Sequence, residues 1–195
     1  EEGYYIADDE ELDAYVNGAK AYISAQDGNR TTLTVGYSVP VASGVHGQVV
    51  SFCDGSDVTV SLFADGSAES KYTVSVPGGT KDSSGQYTTI YDIPGVAPGT
   101  YTMQVSKKNH VTREYTVTVS GDAVTQDVKI HLMGDINGDG RISIGDINQA
   151  NLHAKGKKIL LGYELACADI NGDGRVTTSD VNKMNLHNKG KSLLW

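Results

Sequence analysis

Apolar and polar residues alternate in short runs along the middle of the chain. The runs predict strands in residues 44–132 at His46–Phe52, Val58–Phe63, Lys71–Val76, Tyr87–Asp92, Thr100–Ser106, Glu114–Ser120 and Thr125–Leu132. Turn signals such as Asp65-Gly66 and Pro98-Gly99 separate these runs. Because this spacing is typical of two packed antiparallel sheets, the region is predicted to be an all-β sandwich domain.

Residues 1–43 support two interpretations. A helical stripe is formed by apolar residues at Leu12, Tyr15, Val16, Ala19, Tyr22 and Ile23. Asn17-Gly18, however, is the strongest two-residue signal for a β-hairpin. From Thr31 onward, alternation predicts a strand that ends at Pro40. We expect the segment to add elements to the sandwich or to be the tail of a preceding domain.

The last third of the chain contains an internal repeat. Residues 134–160 and 168–194 align at an offset of 34, and 16 of the 27 aligned pairs are identical. Each copy opens with a Gly-rich acidic loop. Apolar residues at helical spacing follow at Ile147, Ala150, Ala154, Val181 and Met184. Gly156 and Gly190 are predicted to end the two helices. Each unit is therefore a loop followed by one helix, which is half of an ordinary EF-hand.

The spacing of oxygen-bearing residues in each loop matches a calcium site. Loop positions 1, 3, 5, 7, 9 and 12 are Asp135, Asn137, Asp139, Arg141, Ser143 and Asp146 in the first copy, and Asp169, Asn171, Asp173, Arg175, Thr177 and Asp180 in the second. These are the positions from which a 12-residue EF-hand loop binds Ca²⁺. The arginines would contribute only their carbonyl oxygens, and position 9 is expected to act through water.

Two calcium ions are therefore predicted. Position 12 is Asp instead of the usual Glu, so bidentate binding requires the following helix to start closer to the ion. The alternative is two metal-free turns, since Asn-Gly and Asp-Gly are turn dipeptides. Ile142 and Val176 at position 8 are predicted to point inward, where the loops could pair as a short β-bridge.

The duplicated DxNxDGxxxxxD loop-helix resembles the type I dockerins of cellulosomes. The resemblance covers residues 133–195 and implies an all-α, non-catalytic module that binds calcium. It also implies that the module binds a cohesin of a scaffoldin or cell-surface anchor. The implied location is secreted and extracellular, at the bacterial cell surface. The chain would then attach a polysaccharide-degrading enzyme or a scaffoldin to a cellulosome.

The same resemblance assigns the cohesin contacts to loop positions 10 and 11 and helix positions 18, 19 and 22. These are Ile144, Gly145, Leu152, His153 and Gly156 in the first copy, and Thr178, Ser179, Leu186, His187 and Gly190 in the second. Dockerins of this type often carry a basic residue where Leu152 and Leu186 stand here. The leucines are predicted either to anchor an apolar interface or to pack inside the module.

The stretch from Ser83 to Asp122 resembles the Cna-B-like, transthyretin-like sandwich found in carboxypeptidase-regulatory-like domains. This implies an accessory X module that acts as a spacer or stabiliser. The first strand has no Lys, so no intramolecular isopeptide bond is expected. The alternatives are a carbohydrate-binding module or part of a glycoside hydrolase. Aromatic residues that would either stack on sugars or pack in the core are Tyr4, Tyr5, Tyr87, Tyr91 and Tyr101.

Charge and composition narrow the functional classes. The formal net charge of −8 divides into −9 for residues 1–132 and +1 for residues 133–195. An acidic chain without a basic face is not expected to bind nucleic acid. The sequence has no run of about 18 apolar residues, so no membrane-spanning helix is expected. Cys53 and Cys167 are predicted either to form an inter-module disulfide or to remain free thiols.

Overall fold

The computed structural model describes residues 43–195, together with the backbone of three strands in the preceding segment: β1 (Ala14–Val16), β2 (Ala19–Gln26) and β3 (Leu33–Gly36). The chain divides into two compact units, Glu1–Val41 and Ala42–Trp195. In the first unit β1 pairs antiparallel with β2, with Val16 opposite Ala19, and β2 pairs antiparallel with β3. The helical interpretation of this segment is therefore wrong, and the hairpin interpretation is confirmed because the strands flank Asn17-Gly18. The predicted strand beyond Gly36 lies outside the described residues.

The second unit begins with nine strands in two sheets. They are β4 (Gly44–Ser51), β5 (Val58–Ala64), β6 (Ser70–Val76), β7 (Thr80–Lys81), β8 (Tyr87–Pro94), β9 (Gly99–Lys107), β10 (Arg113–Val119), β11 (Val124–Thr125) and β12 (Val128–Lys129). One sheet has the order β10-β9-β5-β6, and the other has the order β11-β4-β8-β7 with β12 also paired to β4. The predicted two-sheet sandwich is confirmed.

The sandwich core lies between the two sheets. Along β9, Tyr101, Met103 and Val105 are buried, and exposed or half-buried residues separate them, as the period of two requires. Val60 and Leu62 of β5 are fully buried in the same core. Burial of each aliphatic side chain stabilises the fold by about 1.5–3 kcal/mol. Because a shift of one residue would turn these side chains to the opposite face, their burial selects the observed register.

The final predicted strand of the sandwich is divided in two. The carbonyl of Gln126 lies over Gly47, where a Cβ would overlap it, and it accepts a 2.7 Å hydrogen bond from the Tyr91 hydroxyl. Asp127 accepts the N–H of Gln48 at 3.0 Å through its side chain. Between β11 and β12, the pairing of this part of the chain with β4 is thus interrupted. The alternation of apolar and polar residues does not indicate the contacts that interrupt it.

Three helices follow the sandwich: α1 (Ile144–Ala154), α2 (Gly162–Ala168) and α3 (Thr178–Asn188). Buried side chains of the helices and loops form a second core, which includes Ile136, Ile147, Ala150, Cys167, Val181 and Met184. The predicted helix ends are confirmed, since Gly156 and Gly190 have φ of 66° and 63° directly after the last helical turns. Within the described residues, no helix is both long and apolar enough to cross a membrane.

Two local features differ from the expectations. Helix α2 was not predicted, because it has only seven residues and its N-cap, Leu161, provides no side-chain hydrogen bond. Ile142 and Val176 are buried as predicted, at 8% and 6% exposure. In residues 43–195, however, the only isolated β-bridge joins His110 and Leu132, so the predicted bridge between the loops is not formed.

Candidate metal centre

The first acidic loop is organised around Asp135, whose side chain is fully buried. Its Oδ1 accepts the N–H groups of Gly138 at 2.8 Å and Asp139 at 3.1 Å, and its Oδ2 accepts the N–H of Gly140 at 2.8 Å. Gly138 and Gly140 have φ of 73° and 85°, which is the left-handed region that favours glycine. The loop therefore curls its backbone around one carboxylate.

The carboxylate of Asp146 closes the other end of the same loop. Its Oδ1 accepts the N–H groups of Ile136 at 3.0 Å and Asn137 at 3.1 Å. Its Oδ2 accepts both the N–H and the hydroxyl of Ser143, at 2.9 and 2.8 Å. Ser143 is the N-cap of α1 and Asp146 its third residue, so loop positions 9 and 12 together form a capping box. The helix begins at Ile144, before the loop ends, so Asp146 lies in its first turn.

The second loop repeats this arrangement. Asp169 accepts N–H groups from Gly172 and Gly174 at 2.9 and 2.8 Å. Asp180 accepts from Ile170 at 3.1 Å, and its other oxygen accepts the N–H and hydroxyl of Thr177, the N-cap of α3. The two loops thus hold corresponding carboxylates in corresponding hydrogen-bond networks.

The donor set fits a hard divalent cation. Each loop brings carboxylate, amide and hydroxyl oxygens into one turn, and calcium prefers six to eight oxygen ligands. In residues 43–195 no three Asp, Glu, His or Cys side chains converge as a metal-binding group. The predicted set of the first loop contains three carboxylates, Asp135, Asp139 and Asp146, so a bound ion would have to draw them closer together. Asn137, Ser143 and the carbonyl of Arg141 would provide the other oxygens. The second loop would use Asn171, Thr177 and the carbonyl of Arg175.

The electrostatics of the first loop also favour a cation. Burial raises the pKa of Asp135 from 3.8 to about 6, and the nearby carboxylates of Asp146 and Asp139 act in the same direction. The N–H groups of Gly140 and Gly138 oppose this rise. A buried carboxylate beside two others is costly unless a cation compensates it. The first loop is therefore suited to a cation.

The residues assigned to cohesin contacts remain accessible in both copies. Of these, Ile144, Gly145, Leu152, Gly156, Thr178, Ser179, Leu186 and Gly190 are exposed, and His153 and His187 are half-buried. Leu152 is 38% exposed and Leu186 is 41% exposed. The leucines are therefore not buried in the core of the helical module, and each copy presents an apolar side chain on its helix.

Each half-buried histidine holds the segment that follows its helix. Nδ1 of His153 accepts the N–H of Leu160 at 2.9 Å, and Nδ1 of His187 accepts the N–H of Leu194 at 3.1 Å. His187 also packs against the ring of Trp195, with centroids 4.7 Å apart, and burial lowers its pKa. The histidines thus have a structural role that the sequence pattern did not indicate.

The segments held by the histidines add apolar surface that sequence reasoning missed. The exposed residues are Ile159 and Leu161 at 72% each, Leu193 at 70% and Trp195 at 36%. Leu193 lines a shallow groove together with Leu186. The sequence does contain a signal for this surface. Extending the internal repeat by one residue at the offset of 34 aligns two large apolar residues, Leu161 and Trp195.

The helical module packs on the end of the sandwich through Tyr163 of α2. The Tyr163 hydroxyl accepts the N–H of His131 at 2.9 Å and donates to the carbonyl of Val111 at 2.7 Å. The Arg113 guanidinium lies 4.6 Å from the centre of the Tyr163 ring, and the His131 ring contacts it edge-on at 5.0 Å. A polar and aromatic contact therefore joins the two parts.

The tyrosines and cysteines singled out from the sequence differ in burial. Tyr91 and Tyr101 are buried in the sandwich core and Tyr87 is half-buried, whereas Tyr4 and Tyr5 lie outside the described residues. Cys53 is exposed, Cys167 is buried, and both are free thiols. The sequence did not indicate that Lys107 is buried, with its ammonium donating to the Ser51 hydroxyl at 3.0 Å.

Two EF-hand-like loop-helix units packed on each other define a helical domain of the calcium-loop class. Residues 133–187 match the family model described as the Dockerin type I domain. This part of the chain is therefore a type I dockerin domain, a non-catalytic module of a kind that generally binds calcium.

Comparisons of the whole chain are less specific. Among solved structures, the chain is similar to an N-terminal interface mutant of a type II cohesin-X-dockerin complex from Acetivibrio cellulolyticus, at 21% identity and a TM-score of 0.32. A C-terminal interface mutant of that complex is similar at 20% identity and the same TM-score. Each match covers 74% of this chain and 94% of the other chain. No curated protein matches the chain.

Proposed function

We propose that this chain is a calcium-dependent adhesion segment whose dockerin binds a cohesin module of a scaffoldin or cell-surface anchoring protein. Residues 133–195 would form the docking module with two bound Ca²⁺. Residues 44–132 would be an accessory X-type domain that acts as spacer and stabiliser. Residues 1–43 would be an N-terminal segment that adds elements to the sandwich or forms the tail of a preceding domain. The segment would attach a polysaccharide-degrading enzyme or scaffoldin to a secreted, extracellular cellulosome at the bacterial surface.

The observation that carries this proposal is the pair of loops with matching carboxylate networks. In each loop, two carboxylates organise the backbone turn and the start of the following helix. Because the metal would draw together groups that repel one another, binding of calcium is expected to be coupled to folding of the loops. Two Ca²⁺ would also change the net charge of the chain from −8 to −4. Residues 133–195 would become +5, which favours a partner with an acidic surface.

The apolar residues on the dockerin surface support a protein partner. Leu152 and Leu186 are partly exposed at equivalent places on α1 and α3. An apolar side chain surrounded by Lys and His is the arrangement expected at the centre of an interface with a polar rim. The pairs Ile144/Thr178 and Gly145/Ser179 differ between the two copies. This difference favours one preferred docking orientation.

The test is binding of the full chain to a panel of cohesins by surface plasmon resonance, in millimolar calcium and in excess EDTA. We expect calcium-dependent binding to at least one cohesin. Leu152→Asp and Leu186→Asp together should weaken it by about thirtyfold or more, the effect of losing one strong interface anchor. Each single variant reports which copy the cohesin uses.

Ile90→Asp provides a matched control, since Ile90 is 77% exposed but lies on the sandwich. It should leave cohesin binding unchanged. Binding that persists in EDTA would contradict the calcium dependence. Unchanged binding of the double leucine variant would contradict the proposed contact surface.

A further inference from the structure

The two predicted calcium loops share five of their six ligand residues, with Ser143 in the first and Thr177 in the second at position 9, but their surroundings differ. Gly140 and Gly174 occupy loop position 6 with φ of 85° and 83°. A Cβ added at Gly140 would overlap the ring of Phe52, whereas nothing lies within 4 Å of a Cβ at Gly174. The backbone conformation is thus the same, and only the first loop is in contact with the sandwich at this position.

Loop position 4 shows the same contrast. Gly138 and Gly172 have φ of 73° and 70°. A Cβ at Gly138 would overlap the imidazole of His131, and nothing lies within 4 Å of a Cβ at Gly172. Two side chains of the sandwich therefore lie against glycines of the first loop. Phe52, at 3% exposure, lies against Gly140, and half-buried His131 lies against Gly138.

The chain that enters the first loop is also fixed to the sandwich. The N–H of Val111 donates to the His131 carbonyl at 2.9 Å, and the N–H of Met133 donates to the Asn109 carbonyl at 3.0 Å. The N–H of His131 donates to the Tyr163 hydroxyl at 2.9 Å. The second loop is entered from the end of α2, where the N–H of Asp169 donates to the carbonyl of Leu165 in the same helix.

The ligand at loop position 1 is also buried to a different extent in the two loops. Asp135 has no exposed surface, whereas its counterpart Asp169 is half-buried. A loop held by a rigid support loses less conformational freedom when it closes around an ion. Closely matching ligand sets on a held loop and on a loop without this support should therefore bind the same ion with different affinities.

We propose that the sandwich preorganises the first calcium loop, with Phe52 and His131 as positioning residues, so that this loop binds calcium more tightly than the second. The inference rests on the proposed calcium binding and adds an order of filling to it. The first site fills at lower calcium concentration, and its ion also strengthens the packing of the dockerin on the sandwich, because the coupling is reciprocal.

The experiment compares full-length chains that each retain one intact loop. Asp139 and Asp173 are exposed residues at loop position 5, so Asp173→Ala leaves the first site and Asp139→Ala leaves the second. Calcium binding to each chain is measured by isothermal titration calorimetry. We expect the Kd of the Asp173→Ala chain to be about tenfold lower than that of the Asp139→Ala chain, a difference equivalent to about 1.4 kcal/mol.

The positioning residues are tested in both backgrounds. Phe52→Ala should raise the Kd of the Asp173→Ala chain several-fold and leave that of the Asp139→Ala chain unchanged. His131→Ala is the second variant, and near-ultraviolet circular dichroism verifies that the sandwich remains folded. Gly140→Ala and Gly174→Ala form a matched pair, at φ of 85° and 83°, and Gly140→Ala should impair its own site more.

The possible results distinguish failure of the preorganisation from failure of the proposed calcium binding. Similar Kd values for the two single-site chains would overturn the inference, as would equal effects of Phe52→Ala and His131→Ala on both sites or on neither. A wild-type chain that binds no calcium would instead overturn the proposed function, and the inference with it. Calcium-dependent cohesin binding combined with equal Kd values would leave the proposed function intact and reject only the preorganisation.

Discussion

Replacing Tyr163 with Phe tests whether the dockerin and the sandwich are stabilised as one structure. The substitution keeps the ring, so the Arg113 contact at 4.6 Å and the edge contact with His131 remain. It removes the hydroxyl that bridges the His131 N–H and the Val111 carbonyl at 2.9 and 2.7 Å. Both backbone groups then lose their partner at a partly buried site.

The expected loss follows from these two hydrogen bonds. Each contributes about 0.5–1.5 kcal/mol net, so the free energy of unfolding should fall by about 2 kcal/mol. Urea unfolding of the full chain in calcium measures this loss by tryptophan fluorescence and circular dichroism. Because the contact requires a folded dockerin, the loss should disappear in excess EDTA if the apo dockerin unfolds.

Tyr101→Phe is the matched control. Tyr101 is a buried tyrosine whose hydroxyl donates to the Ala97 carbonyl at 2.9 Å, inside the sandwich. It should cost about 1 kcal/mol with or without calcium, since one hydrogen bond is lost and no inter-module contact changes. A loss below about 0.5 kcal/mol for Tyr163→Phe in calcium, which is within the usual range for surface substitutions, would refute the bridging role. An equal loss in EDTA would refute its dependence on the folded dockerin.

Three further predictions concern pH and packing. Burial lowers the pKa of His110 from 6.5 to about 4. The neutral ring therefore contributes roughly 3 kcal/mol, which is present above pH 6.5 and lost as the pH falls towards 4; urea unfolding of His110→Gln should show a flatter pH profile over this range. Fluorescence of Trp195 should change on acidification with a midpoint below 6.5, because burial lowers the pKa of the adjacent His187, and His187→Ala should abolish the transition. Gly47→Ala should destabilise the sandwich by about 2–3 kcal/mol in thermal unfolding, because its Cβ would overlap the Gln126 carbonyl.

The local sequence pattern was sufficient to locate most strands and the two acidic loops. Alternation located β5 and β9 to within one residue at either end, because one face of each strand is buried. Loop spacing identified Asp135 and Asp146, and the structure places both in one hydrogen-bond network. The role of these residues as calcium ligands stays a prediction.

The features that sequence reasoning missed depend on contacts between distant residues or on weak local signals. Helix α2 is short and has no side-chain cap, and its position follows from burial of Cys167 and from the bonds of Tyr163. The contact of Phe52 with Gly140 joins residues far apart in sequence, so no local period indicates it. In residues 14–26 the periodic stripe predicted a helix, but the Asn-Gly turn signal was the stronger determinant.

The internal repeat provides two similar acidic loops and two similar helix surfaces, and the sandwich gives the two loops different surroundings. It contacts the first loop through Phe52 and His131, whereas Leu152 and Leu186 both remain partly exposed. The support is therefore placed where it can change the affinity for the metal without covering either docking surface. If calcium binds here as proposed, its binding is coupled to folding of the module, and a neighbour that stabilises one loop would lower the calcium concentration at which the module becomes competent to bind. If the dockerin binds a cohesin as proposed, a domain at this position would act on docking through the metal and would need no contact with the partner.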